Sequence, residues 1–307
     1  MYSPKKYEQR VDRFLSSWLK KSRKCEWDSD VIKKVNNNVL NTELNYKFQS
    51  GSSMKGVQCF MWDFSRDKIP SMVDSINNGN MEYISEGVEG SVFRLKLDKN
   101  SSIILKHSNV QKNSVYEYFK GVEAINKLRY IVPNFGYTLG ALKHKRKHYI
   151  MYENIQGGTL VDYIKKGLLK PEDYIDIIYQ VLLALSVAQK EVKLTHYDLH
   201  CGNIMLREPP KGLDSHFSYS VNIGSKTYTV KNPKYIATII DFGHSAVNIK
   251  PFGMVGMCGY EHVNIYPRFS AGTDMYHFLI YYLFNIVSFN KNHKVKNDVY
   301  NIFRFWG

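Results

Sequence analysis

Cysteine is scarce in this sequence and widely spaced. The four cysteines among 307 residues, Cys25, Cys59, Cys201 and Cys258, include no CxxC pair. That excludes a disulfide framework and a zinc ribbon, and it fits a reducing compartment. Long hydrophobic runs are missing as well. The most apolar stretch, FLIYYLFNIV at 278–287, covers ten residues and contains Asn285, against the roughly 20 needed to cross a bilayer. The N-terminal MYSPKKYEQRVDRFLSSWLKKSRK carries scattered charges and lacks the apolar centre of a secretory signal. Internal repeats and low-complexity tracts are absent too. The expectation is a soluble, cytoplasmic protein with no membrane span.

Acidic residues are outnumbered, 28 Asp and Glu against 42 Lys and Arg, for a net charge of +14. Such a balance admits nucleic acid, anionic membrane or acidic protein as partners. The densest basic run, KHKRKHY at 143–149, lies between two apolar stretches, where a hairpin tip would fall. With only Tyr149 as an aromatic platform it reads as a solvated turn, so nucleic acid is possible but not favoured. The 44% apolar content suffices for a sizeable core, and the length suits one bilobal unit or two domains.

Three regions differ in pattern. Residues 1–80 are rich in Lys, Asn and Ser, with loop-like SGSSMKG and NNGN and one helical recurrence at Val11, Phe14, Leu15, Trp18 and Leu19. From 81 to about 155 come short β-type runs, MEYISEG, SVFRLKL, SIILKHS, FGYTLGAL and HYIMYENI. A helical segment interrupts them, with Tyr118, Val122, Ile125 and Leu128 at helical spacing. From 156 the chain becomes mainly helical. Pro171, Glu172 and Asp173 open a long helix with an apolar stripe at Ile175, Ile178, Leu182 and Leu185. A second helix begins near Asp274. Between them, YSVNIGSKTYTV reads as an inserted hairpin around Gly224 and Ser225.

Chemistry concentrates at a few positions. Gly87 and Gly90 lie in a tight turn between β runs, followed by Val92. Missing side chains there let backbone N–H groups approach phosphates, and a strand Val can cover an adenine ring. Lys106 ends the apolar IILK, where a lysine is costly unless it meets an anion. LTHYDLHCGNIML supplies Asp198 and Asn203, five residues apart, and IATIIDFGHS places Asp241 at the end of an apolar strand. Two carboxylates and an amide oxygen are hard ligands suited to Mg²⁺ and to a hydroxyl proton.

In that order, Gly87-x-x-Gly90-x-Val92, Lys106, a glutamate-bearing helix, HYDLHCGN and DFG resemble the signature set of protein kinases, across about residues 81–290. The resemblance implies an α+β, bilobal protein-kinase-like fold. It would comprise a helical N-terminal extension (1–80), a β-rich small lobe (81–155) and a mainly helical, abbreviated large lobe (156–307) with a hairpin insertion at about 207–235. It further implies ATP and Mg²⁺ as cofactors and protein substrates as partners. Lys106 would hold the ATP phosphates, oriented by Glu117 or, less suitably, Glu123. Asp198 would steer the substrate proton, and Asn203 and Asp241 would bind the metal. Ser85, Gly87, Gly90 and Val92 would line the nucleotide. Tyr152 would stand behind the adenine, with backbone groups near Glu153 and Ile155 bonding its edge. Asp274 would anchor the backbone of the catalytic loop, and His196 would be a packed structural residue.

Departures from that pattern narrow the expectation. Ser85 replaces the first glycine of the phosphate loop. Tyr197 stands where many regulated kinases have arginine, which predicts activity independent of activation-loop phosphorylation. His200 stands where Ser/Thr kinases usually have lysine, so small-molecule kinases are a rival, and a nucleotide-binding pseudokinase is another. Beyond DFG, GYEHVNIYP occupies the place of the usual APE, and the chain stops at Gly307 soon after the Asp274 helix. The same combination resembles Ser/Thr kinases of large DNA viruses, namely poxviruses, iridoviruses and giant viruses. A metal site on His196 and His200 would lack its remaining ligands.

Overall fold

The computed structural model describes residues 78–87, 90–96, 102–109, 111–144, 147–209, 217–250, 253–256, 268–289, 296–297 and 301. The expected N-terminal helix, the phosphate-loop tip at 88–89 and the GYEHVNIYP segment lie outside these residues.

Alternation of apolar and polar residues builds a five-stranded antiparallel sheet from β1 (Met81–Gly87), β2 (Gly90–Lys96), β3 (Ser102–Ser108), β4 (Thr138–His144) and β5 (Lys147–Glu153). Its strand order is β1-β2-β3-β5-β4. In β3, Ile103 and Leu105 are fully buried on one face, which turns Ile104 and Lys106 to the other. Register aligns Val92 and Ile150 with Lys106, and Tyr152 with Ile104. Val92, Lys106 and Tyr152 therefore share a face.

Helix α1 (Gln111–Lys120) runs into a π-helical turn at Gly121–Ile125 and a last α-turn at Asn126–Leu128. The wide turn shifts the phase of the helix. Tyr118 and Val122, expected on the apolar stripe, are only partly buried, while Tyr116, Phe119 and Ala124 join Ile125 and Leu128 in the core. Gly121 permits the close approach to β4, since a Cβ there would stand 2.3 Å from Thr138 Oγ1. Asn126 then clamps the strand, giving and taking a hydrogen bond with the Thr138 backbone at 2.8 and 2.9 Å.

After β5 come β6 (Gly157–Thr159), α2 (Leu160–Lys166) and α3 (Pro171–Val192). Helix α2 starts on a capping box between Thr159 and Asp162 and ends at Gly167 in the left-handed region. Of the stripe expected on α3, Leu185 is in the core, Ile178 and Leu182 are partly buried and Ile175 is exposed; the buried side centres on Tyr174, Ile177, Val181, Ala184 and Ala188.

Next come β7 (Ile204–Arg207), the hairpin β8 (Ser218–Ile223) and β9 (Lys226–Lys231), and β10 (Ile236–Ile239), which pairs antiparallel with β7. The hairpin is not a loose appendage. Phe217, Tyr219 and Val221 are buried, and the Tyr219 hydroxyl donates to Asn134 Oδ1 at 2.7 Å. Asn134 in turn donates to the Ala237 carbonyl at 2.7 Å, tying the segment that leads into β4 to β10.

The chain closes through β11 (Ala246–Ile249), β12 (Gly253–Gly256) and α4 (Thr273–Phe289). One side of α4 is buried, through Phe278, Tyr282 and Ile286, and Tyr276, Ile280 and Phe284 on the other side are exposed. No helix among the described residues is long and apolar enough to cross a membrane.

Candidate active site

Lys106 leaves β3 on the face turned toward α1. Its ammonium meets Glu117 Oε1 at 3.0 Å and Asp241 Oδ1 at 2.6 Å. Burial alone would depress its pKa. The carboxylates of Glu117 and Asp241 outweigh that and hold it above the ordinary lysine range. Glu123, the other candidate, points elsewhere and pairs with Lys127 at 3.6 Å. Glu117 Oε1 also accepts the Tyr152 hydroxyl at 2.6 Å, a bond no sequence pattern announced. Burial first, and the Glu117 carboxylate second, keep the Tyr152 phenol protonated.

Asp241 follows β10 with φ +62°, an unusual backbone state for a residue with a side chain. Burial opposes its ionisation, but Lys106 prevails and brings its pKa down to about 2. The carboxylate stays 39% exposed, so a ligand can reach it. Ile240 N donates to Asn203 O at 2.9 Å, which draws the catalytic loop beside the Asp241 turn.

Within that loop Asn203 donates through Nδ2 to Asp198 O at 2.8 Å and to Asp198 Oδ2 at 3.2 Å. The amide oxygen of Asn203 is thereby left for another partner. His200 caps the short turn at Cys201–Asn203, its Nδ1 accepting from Gly202 N at 3.0 Å, and its Nε2 lies 3.7 Å from Asp198 Oδ2. Two anchors support the loop from below. Asp274 accepts from His196 N at 2.7 Å and Tyr197 N at 2.9 Å. His196, fully buried, bonds the Ile240 carbonyl through Nε2 at 2.9 Å and packs 5.3 Å from the Phe242 ring. Burial holds the His196 pKa below the usual range, so the ring is neutral with its proton on Nε2. Burial also pushes the Cys201 thiol up to about 12, which removes it as a nucleophile.

Tyr197 is another residue with positive φ, +65°, and its hydroxyl donates to Arg268 O at 2.6 Å. That bond ties the catalytic loop to the segment leading into α4 without any phosphate.

At the β1–β2 turn, Gly87 pairs with Gly90 across the hairpin, and Ser85 sits at an irregularity in the β1 ladder. Gly90 has φ +152°, and a Cβ there would lie 1.8 Å from the His107 carbonyl, so no other residue fits. Ile155 is buried just beyond β5.

The Glu153 side chain was not anticipated. It is buried between two arginines, with Oε1 accepting from Arg129 Nη1 and Arg207 Nη2 at 2.8 Å each and from Tyr137 N at 2.9 Å. Its second oxygen accepts from Arg207 Nη1 at 3.1 Å. Burial disfavours the carboxylate, but the two guanidiniums keep its pKa below the usual range. No local pattern marks this cluster, since Arg129 lies 24 positions before Glu153 and Arg207 54 after it.

The protein kinase domain family matches residues 79–261. "Probable kinase 098L" of Invertebrate iridescent virus 3 is 30% identical over 200 residues, covering 64% of this chain and 37% of that protein. An uncharacterized protein of Invertebrate iridescent virus 6 is 26% identical over 52% of this chain and 15% of its own length. "Probable serine/threonine-protein kinase fnkB" of Dictyostelium discoideum is 31% identical over 53% of this chain and 29% of its own. The chain thus spans well under half the length of these relatives. With the strand lysine, helix glutamate and paired carboxylates in one arrangement, and a family match over more than half its length, the chain belongs to the protein kinase domain family.

Proposed function

We propose that this protein transfers the γ-phosphoryl group of ATP to serine or threonine hydroxyls of protein substrates, with Mg²⁺. The observation that carries the reading is the convergence of Lys106, Glu117 and Asp241 beside the Asp198–Asn203 pair.

The residues present suit the metal. Asp241 is ionised at any physiological pH and partly exposed, and Asn203 keeps its amide oxygen available, a set of hard oxygen donors. Asp241 and Asn203 would hold Mg²⁺, which neutralises phosphate charge when bound. Lys106, oriented by Glu117, grips the phosphates. Asp198 steers the proton of the attacking hydroxyl, a contribution of about 10²–10⁴-fold. Val92, the glycines of the β1–β2 turn and Ser85 cover the nucleotide, and the backbone around Glu153 and Ile155 meets the adenine edge.

Protein rather than small-molecule substrates are favoured by the short path from hinge to catalytic loop. Only α2, of 7 residues, and α3, of 22, stand between Gly158 and His196, which leaves no helical acceptor domain there. The iridescent-virus likeness supports a virus-encoded enzyme working in infected-cell cytoplasm or carried in virions.

The test is incubation with Mg²⁺ and γ-labelled ATP against casein, a basic protein and small alcohols, followed by phosphoamino-acid analysis, with Asp198→Ala as control. Phosphoserine or phosphothreonine from wild type only is the expected result. Label on small alcohols alone identifies a small-molecule kinase. ATP binding without any transfer identifies a binding module.

A further inference from the structure

The last residue of α1, Lys120, is a lysine with no exposed surface. Lysines are almost never buried unless their charge is matched. Here Nζ donates to three main-chain carbonyls, Phe242 O at 2.7 Å, Gly243 O at 2.8 Å and Ser245 O at 2.7 Å. Three acceptors call for three donors, which the ammonium supplies and a neutral amine does not. All three carbonyls belong to the turn that begins at Asp241.

That turn has reason to need holding. Asp241 sits at φ +62°, a state an L-residue keeps only when its surroundings impose it. Local bonds contribute: Ser245 N and Oγ both reach Phe242 O, at 3.2 and 2.8 Å, and Gly243 N reaches Asp241 Oδ1 at 3.3 Å. None of these connects the turn to α1, whereas Lys120 does.

Lys120 stands three residues after Glu117, on the same side of the helix. One helix face therefore grips the site twice. Glu117 holds Lys106, which holds the Asp241 carboxylate, and Lys120 holds the Asp241 backbone turn. Displacing α1 would break both grips together.

We propose that Lys120 is a positioning residue for phosphoryl transfer: it locks the Asp241 turn to α1, so that the fold itself, rather than a phosphorylated loop, sets the metal-binding carboxylate in place. The proposal rests on the transfer activity proposed above. Lys120 touches neither nucleotide nor substrate, and it acts through Asp241.

Two variants test it: Lys120→Met, which keeps length and removes every donor, and Lys120→Arg, which keeps donors. Three measurements are made on each: Mg²⁺ titration of transfer at saturating ATP, Mg²⁺-dependent ADP binding by calorimetry, and amide exchange at Gly243, Ser245 and Ala246 against α3. Partners that orient a metal ligand are typically worth about 10–100-fold in affinity or activity. Lys120→Met is expected to raise the Mg²⁺ requirement and weaken Mg·ADP binding by roughly tenfold or more, with faster exchange in the turn and unchanged α3 protection. Lys120→Arg is expected to recover part of each. A purely structural lysine would instead lower the folded fraction and leave the Mg²⁺ requirement alone.

The proposal is overturned if Lys120→Met, with α3 protected, keeps the wild-type Mg²⁺ requirement and turn exchange. Should Lys120→Met not fold, Lys120→Arg with wild-type turn exchange but lost Mg·ADP binding overturns it, and parallel change of the two supports it. If wild type transfers no phosphate, the functional reading fails by itself, while ADP binding and exchange still decide the role of Lys120.

Discussion

Replacing Glu153 by glutamine removes one charge and almost no volume from a place where the energetic consequence is large. The carboxylate is shared by Arg129 and Arg207, all three side chains being 4% exposed or less. Oε1 takes three donors and Oε2 one. A glutamine offers one acceptor oxygen, and its NH₂ would face a guanidinium N–H, donor against donor. Removing one member of a buried ion cluster costs about 3–5 kcal/mol, because the remaining charge stays desolvated. For a chain of 307 residues, with an unfolding entropy of about 2.1 cal/mol/K per residue, that corresponds to a fall in Tm of roughly 5–8 °C. Thermal unfolding followed by circular dichroism measures it directly. The companion variant replaces Arg129, Glu153 and Arg207 together by methionine, and it is expected to melt above Glu153→Gln, since removing the whole cluster spares the orphaned charges. A Glu153→Gln melt within about 2 °C of wild type would refute the assignment of the cluster as a structural hub.

Four further outcomes are expected. Tyr152→Phe deletes the donor to Glu117, and a hydrogen bond to a charged group is worth about 1.5–3 kcal/mol, so kcat/KM should fall by roughly tenfold or more; unchanged steady-state kinetics would contradict it. Asp241→Asn should abolish Mg²⁺-dependent turnover with the fold intact by circular dichroism, and retained turnover would remove Asp241 from the site. Because the Asp241 pKa lies at about 2 when folded and 3.8 ordinarily, its stabilisation is complete above about pH 5 and lost as pH falls toward 2. Melts across that range should show a shallower acid slope for Asp241→Asn than for wild type, and equal slopes would contradict the shift. Finally, with Tyr197 bonded to Arg268 O and no arginine in its place, phosphatase-treated wild type should keep its rate within about twofold; a larger drop in the transfer assay would show dependence on phosphate.

What could be read ahead of the structure was whatever local pattern encodes. Lys106 in an apolar strand, Asp198 and Asn203 five apart, and Asp241 at a strand end are short-range signatures, and the structure gathers them around one another. The Gly224–Ser225 hairpin and the Pro171 helix start are equally local. Contacts between distant segments left no such trace. Lys120 reads as an ordinary polar residue of an amphipathic helix, because its three carbonyl partners lie 122 to 125 positions away. Glu153 reads as a hinge residue contributing backbone, because its arginines come 24 positions before and 54 after. The core face of α1 was misread because a π-helical turn breaks the 3.6-residue period on which the stripe was counted. That of α3 was legible only in part, at Leu185, because apolar residues occur on more than one side of the helix.

The bond from Tyr152 to Glu117 also bears on how the proposed activity could be inhibited or re-engineered. On the proposed function, the ring that would stand in the space behind the adenine has its hydroxyl fastened to Glu117, the residue that also bonds Lys106. A compound extending into that space must move the ring and detach it from Glu117, so a drug of that shape would be resisted by the same contact that sustains activity. Trimming Tyr152 to alanine, the obvious way to admit a bulkier nucleotide, would enlarge the pocket and loosen its catalytic wall in a single change.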